Sequence, residues 1–303
     1  MTSTSTGARI ARLADRGVVR VAGEDAEKLL QGVITNDMEL LSGRPAMHAA
    51  LLTPQGKILF DFFVVKVPGG FLLEVAADRA ADLAKRLTMY KLRAKADIRD
   101  QSAAYRVLGA WGPGLRDVAD TPGMVAFEDP RLPALGTRIL VEAGLVSGAA
   151  DAIGGLEASP TDYHAHRIAL GVPEGGKDYA FGDAFPHEAN LDQLGGVSFT
   201  KGCFVGQEVV SRMHNRASIR KRVVPVAGEV LLTPGAEVLA GAAAIGAIGS
   251  VAGMRALALV RLDRAAEAIA KGETLVAGGV AVALHKPDWA TFDLAPTVVA
   301  GVS

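Results

Sequence analysis

Cysteine is nearly absent: Cys203 is the only one in 303 residues. That excludes an internal disulfide framework and fits a reducing compartment. It also excludes a self-contained zinc site of several cysteines and an iron–sulfur cluster held by four. A cluster involving this chain has to be transient or shared with another protein. Net charge is equally scarce, at -1, so no global field argues for nucleic acid or an acidic partner. No apolar run is long enough to span a bilayer. The Ser/Thr-rich start, Met1–Arg12, lacks the apolar centre of a signal peptide. These features predict a soluble cytoplasmic protein with neither a membrane nor, directly, a nucleic acid as partner. There is no Walker loop, dinucleotide fingerprint or zinc-protease helix. His164 and His166 flank Ala165 and would leave a helix on different faces, which argues against a metal site there.

What is present is apolar bulk. Half the residues are hydrophobic, enough for two domains or three small ones. Strand patterns fall at Gly17–Ala22, Ala46–Leu52, Lys57–Val67, Phe71–Val75, Ala96–Arg99, Tyr105–Ala110 and Thr137–Ala143. Helical spacing falls at Gly23–Gln31, Ala77–Leu87 and Asp162–Leu170. Thr121–Leu135, rich in proline and acids, reads as a loop. This order predicts an α+β fold rather than a doubly wound parallel sheet. Residues 171–194 form a long, mostly non-periodic stretch, a length uncommon unless functional or disordered. The texture changes near Arg222. Beyond it, short Gly/Ala/Val runs at Val223–Val226, Ala247–Val251, Ala256–Leu262 and Val280–His285 predict a small β-barrel. The expected domains are therefore 1–222 and 223–303.

Four features bear chemistry. Lys201–Glu208 (Lys-Gly-Cys-Phe-Val-Gly-Gln-Glu) places the lone thiol between two glycines, beside a lysine, just before a helix predicted from Gly206 to about Met213. Glycine permits tight turns and close approach. A helix start and an ammonium would both lower the pKa of an exposed thiol; the alternative is a buried thiol acting as a small hydrophobe. Asp61 interrupts an otherwise apolar strand. Alternation groups it with Leu59 and Phe63, so it faces either solvent or a pocket. Pro186–Asp192 concentrates polar groups in the long loop, where Glu188 and Asp192 share a face only if that piece is helical; a hydrogen-bonded turn is the plain alternative. A basic run, Arg212, Arg216, Arg220, Lys221 and Arg222, reads either as a solvated face or as a site for a polyanionic tail, a phosphate or an RNA backbone.

These motifs together resemble the YgfZ family of folate-binding proteins, relatives of the glycine cleavage T-protein tied to iron–sulfur enzyme maturation. Gly23-Glu24-Asp25-Ala26, Leu30-Gln31-Gly32 and Thr35-Asn36-Asp37 look like its opening. Leu51–Leu59 with Asp61 looks like its central strand. Gly171-Val172-Pro173, Pro186–Asp192 and the cysteine motif follow in family order, covering about residues 10–222. The resemblance implies two α+β lobes and a C-terminal barrel around a central tetrahydrofolate cavity. It implies folate contacts from Asp61, Glu188, Asp192, Lys201, Gln207 and Arg212, and reactive roles for Cys203 and Asp61. T-proteins carry a pair of acids on the central strand; Phe60 replaces the first here. Their Arg-x-Glu in the helix matching Arg167–Leu170 has become Arg167-Ile168-Ala169. The implied function is a folate-binding accessory factor for assembly or repair of iron–sulfur enzymes, including those that modify tRNA. Its partners would be cluster-assembly proteins or client enzymes, with a transient cluster at Cys203. The alternative is a folate-dependent aminomethyltransferase or demethylase with Asp61 as base; a third reading is a folate-sensing scaffold.

Overall fold

The computed structural model describes residues 7–118, 121–215 and 219–294; the first six residues and Arg216 lie outside the described residues. In chain order the regular elements are β1 (Arg9–Arg12), β2 (Arg16–Ala22), α1 (Ala26–Val33), β3 (Ala46–Leu52), β4 (Ile58–Val67), β5 (Gly70–Ala76), α2 (Ala80–Lys91), β6 (Asp97–Asp100), β7 (Tyr105–Trp111), β8 (Met124–Glu128), β9 (Thr137–Glu142), α3 (Val146–Ile153), β10 (Leu156–Glu157), α4 (Pro160–Ala169) and α5 (Gln207–Asn215). They continue with β11 (Lys221–Gly228), β12 (Glu237–Ala240), β13 (Ala243–Ala252), β14 (Arg255–Arg261), α6 (Leu262–Ala270), β15 (Leu275–Ala277) and β16 (Val280–Leu284). The architecture is α+β, as the sequence predicts. It forms two compact units: the chain up to His164 with Leu194–Gln207, and Ala165–Gln193 with everything from Glu208 onward.

The first unit holds two five-stranded sheets, ordered β3-β4-β5-β2-β6 and β10-β1-β7-β9-β8. Three apolar layers bind it. One joins the outer face of the first sheet (Phe60, Phe62, Val64, Leu73) to Leu29, Leu30 and Val33 of α1 and Leu83 and Leu87 of α2. A second fills the space between the sheets with Phe63, Val65 and Leu72 against Val107, Trp111, Phe127, Leu140 and Tyr163. The third packs Ile139 and Val141 of β9 on Ala149 and Ile153 of α3. β4 is therefore covered on both faces, which explains its near-continuous apolar run. The register shifts between Leu51 and Leu52, which pair with Phe60 and Ile58 and leave Leu59 as the bulged residue. Leu59 consequently packs in the helix-side core with Phe60, not on the face shared by Asp61 and Phe63 that simple alternation assigns it.

The second unit contains a closed six-stranded barrel, β11-β14-β13-β12-β15-β16. Its interior is built from Val224, Val226, Val238, Ile248, Ala258 and Val260. α6 closes one side with Ala265 and Ala268. Several elements were not expected. β8 lies within the segment read as a loop; it is an edge strand that pairs only with β9. The helices α3 and α6 are short and alanine-rich, so their periodicity is faint beside that of neighbouring strands.

Candidate functional site

Cys203 is exposed. The loop carrying it is fastened to the first lobe by residues of the opening motif. Lys201 Nζ donates to the carbonyls of Gln31 (2.7 Å), Ile34 (2.8 Å) and Asn36 (2.8 Å). Gln31 and Ile34 belong to the C-terminal end of α1, where carbonyls lack helical partners and a cation is favoured. Thr35 Oγ1 donates to the Gly196 carbonyl at 2.7 Å and accepts from Ala50 N at 2.8 Å. Asn36 Nδ2 reaches the carbonyls of His48 and Gly195, both at 2.7 Å. The Ser198 amide closes the set on the Thr35 carbonyl. Two motifs some 160 positions apart in the chain are thus one physical unit, a clamp that presents the cysteine loop.

This geometry corrects two expectations. Lys201 was to supply charge to Cys203 and to hold folate. It is buried, and its ammonium commits all three protons to carbonyls. Burial pushes its pKa down to about 8, with Asp37 opposing; the three acceptors favour the charged form. The helix start was to act on the thiol as well. α5 begins only at Gln207, four residues beyond Cys203, and the dipole effect fades within the first turn. The glycines also differ. Gly206 has φ +80°, and a side chain there would meet the Thr53 carbonyl oxygen at 2.5 Å, whereas Gly202 has open space around it. Only Gly206 is required by the fold.

Asp61 is buried on the inter-sheet face of β4, opposite Ala50. The structure therefore decides against the solvated alternative. Nearby lies a buried ionic network that sequence reading missed. Glu74 Oε1 accepts from Arg16 Nε (2.9 Å) and lies 3.3 Å from Arg138 Nη1. Asp129 Oδ2 pairs with Arg131 (2.7 Å) and Arg138 (3.3 Å), and Arg138 donates to Tyr163 Oη at 2.9 Å. Both Arg131 and Arg138 stack on the Phe63 ring, at 4.9 and 5.3 Å. Burial works to raise the Asp129 pKa, but the two arginines outweigh it and bring it to about 2. His48 is driven down to about 4 by burial and Arg131, against Asp61 and Asp129. It is a neutral imidazole at pH 7. The readable signal for this network was Glu74, an acid inside the apolar run Phe71–Val75, the same anomaly that drew attention to Asp61.

In the second unit the polar loop is a series of hydrogen-bonded turns, not a helix, and Asn190 takes φ +60°. Glu188 and Asp192 consequently part. Glu188 Oε2 accepts from Phe185 N at 2.9 Å. Asp192 forms a two-pronged pair with Arg222, Oδ1 at 2.9 Å and Oδ2 at 2.8 Å. Arg222 is buried, donates also to the His187 carbonyl and Asn190 Oδ1, and stacks 4.5 Å from Phe292. It belongs to no basic surface, and Asp192 has both oxygens occupied; neither fits the role expected of it. His214 stacks on His187, ring centroids 6.0 Å apart. Burial pushes His187 to about 4, with Asp192 opposing and Arg222 and His214 assisting. Arg167, which begins the altered Arg-x-Glu, is wholly buried and bound to Asp178 and Ser250, both at 2.7 Å; Ala169 at the glutamate position is exposed. Gln207 opens α5, and Arg212 lies exposed on it.

Comparison with known proteins agrees with this architecture. Residues 3–133 match the GCVT N-terminal domain, and residues 220–292 match the CAF17 C-terminal beta-barrel domain. A glycine cleavage system aminomethyltransferase T from Bartonella henselae superposes with a TM-score of 0.76 over 95% of this chain and 87% of its own, at 17% identity, which shows the fold. The human iron-sulfur cluster assembly factor IBA57, mitochondrial, is 34% identical over 92% of this chain and 84% of its own. Homologues from Mycosarcoma maydis and Neurospora crassa are each 35% identical; the chain spans 60% and 54% of their lengths. These relatives bear mitochondrial names, which overturns the expectation of a plain cytoplasmic protein. With its two sheets, its closed barrel and this degree of identity, the chain belongs to the family of IBA57 iron–sulfur cluster assembly factors.

Proposed function

We propose that this protein is an accessory factor in the assembly or repair of iron–sulfur enzymes, and that Cys203 is its working group. One observation carries the reading: the single thiol is exposed on a loop fixed by the Lys201–Thr35–Asn36 clamp. One thiolate cannot hold a cluster alone. It can supply one ligand to a cluster whose other ligands belong to a partner, then release it. The cluster is cargo, and the partners are cluster-assembly proteins or client enzymes, among them tRNA-modifying enzymes. The names of the relatives support this reading, as does the cysteine motif's resemblance to the YgfZ family.

Tetrahydrofolate is the cofactor that accompanies the fold. Of the six residues expected to hold it, Lys201 and Asp192 are fully engaged elsewhere. The resemblance still assigns contacts to Asp61 and Gln207 in the first unit and to Glu188 and Arg212 in the second; an acid suits the ring N–H groups of a pterin, and an amide or a guanidinium the carboxylates of a glutamate tail. When bound, the cofactor would supply a one-carbon carrier. With Phe60 and Ala169 at two of the acid positions, proton transfer of the T-protein kind would fall to Asp61 alone, which favours an accessory role over aminomethyl transfer. The test is reconstitution of the purified protein with a cluster-loaded assembly partner, followed by visible absorbance. Wild type should form a shared chromophore, and Cys203→Ser should lose it while keeping its unfolding midpoint. An undiminished chromophore in Cys203→Ser would remove the thiol from the account.

A further inference from the structure

On the barrel, β11 and β14 pair with Lys221 directly opposite Arg261. Like charges in that relation destabilise a sheet. Asp263 neutralises only one of them, pairing with Arg261 through Nε (2.8 Å) and Nη2 (2.6 Å). Arg220 stands next to Lys221, its carbonyl accepting from Leu262 N at 2.8 Å. Among the described residues, neither the Arg220 nor the Lys221 side chain makes a hydrogen bond or an ion pair. These three cations line a cavity of about 560 Å³ whose remaining wall includes Phe185, Ile219 and Glu188. The size falls within the roughly 300–1,000 Å³ of small-molecule sites.

β13 lines the cavity with Ala244, Ile245 and Gly246. A side chain at Gly246 would strike the Leu259 carbonyl oxygen, so that position cannot take one without distorting the ladder. The result is a cleft with cations on one wall, an aromatic and an aliphatic surface beside them, and a carboxylate. Glu188 uses Oε2 on Phe185 N and leaves Oε1 to accept from a ligand.

We infer that this cleft is a binding site for a small aromatic anion. Its ring would pack on Phe185 and Ile219. Its phosphate or carboxylate would sit on Arg220, Lys221 and the outer nitrogen of Arg261, and a ring N–H would reach Glu188. Such an anion resolves the otherwise unfavourable Lys221–Arg261 juxtaposition. The inference is independent of Cys203. It shares Glu188 with the folate contacts proposed above, so the probes are chosen to be unrelated to folate.

The full chain is titrated by calorimetry with ADP, as a phosphate source, and with phthalate, as a carboxylate source. Saturable binding of at least one is expected, weakening with added salt. Which of the two binds identifies the anion class. Arg220→Ala and Lys221→Ala should each weaken it roughly tenfold, the first without shifting the unfolding midpoint and the second without lowering it. Arg220 is exposed, so its variant folds whatever Lys221 contributes to the strand. Saturation by neither probe, or equal affinity in both variants, overturns the inference. Tetrahydrofolate binding to wild type is a separate measurement, and its failure would sink the folate assignment alone.

Discussion

Replacing Lys201 with methionine keeps the length of the side chain and removes the ammonium. Three carbonyls, on Gln31, Ile34 and Asn36, lose their donor at once. A buried acceptor left without a partner costs about 1–3 kcal/mol. The Gln31 bond is only partly buried and water can replace it in part, so the expected loss is about 3–5 kcal/mol in all. That is a large share of a typical domain's ~5–15 kcal/mol. The two tryptophans make the assay specific, since Trp111 belongs to the first unit and Trp289 to the second. In a Trp289→Phe background, urea unfolding followed by Trp111 emission reports the clamped unit. The midpoint should fall with little change in slope, and amides of the Cys203 loop should exchange faster than those of β4. A loss below about 1 kcal/mol would refute the clamp as a stabilising device and make Lys201 an incidental contact.

Acid should weaken the first unit through His48. Its folded pKa of about 4 lies below the 6.5 of the unfolded chain, so the unfolded state takes up the proton first as pH falls. The contribution is complete above about pH 6.5 and lost on the way to 4, amounting to about 3 kcal/mol at ~1.4 kcal/mol per pH unit. His48→Gln should flatten that part of the stability profile; an unchanged slope would mean His48 is charged in the folded state. Arg222→Met takes the guanidinium from the buried Asp192 carboxylate and should cost the second unit about 3–5 kcal/mol, read as a fall in the thermal midpoint by Trp289 emission. Asp192→Asn should do less harm than Arg222→Met, because it leaves a neutral acceptor for Arg222. A negligible cost for Asp192→Asn beside a full cost for Arg222→Met would point to packing of Arg222 on Phe292, not the ion pair, as the source of stability.

Much of the fold could be read from the sequence because β3, β4, β5 and β7 are long and strongly patterned. Their bounds are recovered within a residue or so. The failures have local causes. The bulge at Leu59 breaks alternation, and nothing in Leu51–Leu59 announces it. β8 is a short edge strand in a proline-rich stretch. α6 shares its alanine-rich texture with the strands around it. The candidate residues could be picked out of the sequence, but their wiring could not. Cys203, Asp61 and the Thr35-Asn36-Asp37 motif stand out as residues, yet only the structure joins Lys201 to the end of α1 and Asp192 to Arg222. A lysine two positions before a cysteine reads as its electrostatic partner; the loop geometry turns its ammonium into a helix cap instead. Long-range hydrogen bonds of this kind leave no periodic trace in a sequence.

The most direct test of the central claim uses cells lacking this protein and an iron–sulfur enzyme whose activity then falls. Wild-type chain and Cys203→Ser are supplied at matched levels, and the enzyme's activity and cluster content are measured. The account predicts recovery with wild type and none with Cys203→Ser. Full recovery with Cys203→Ser would contradict it and return the function to the buried acid at Asp61.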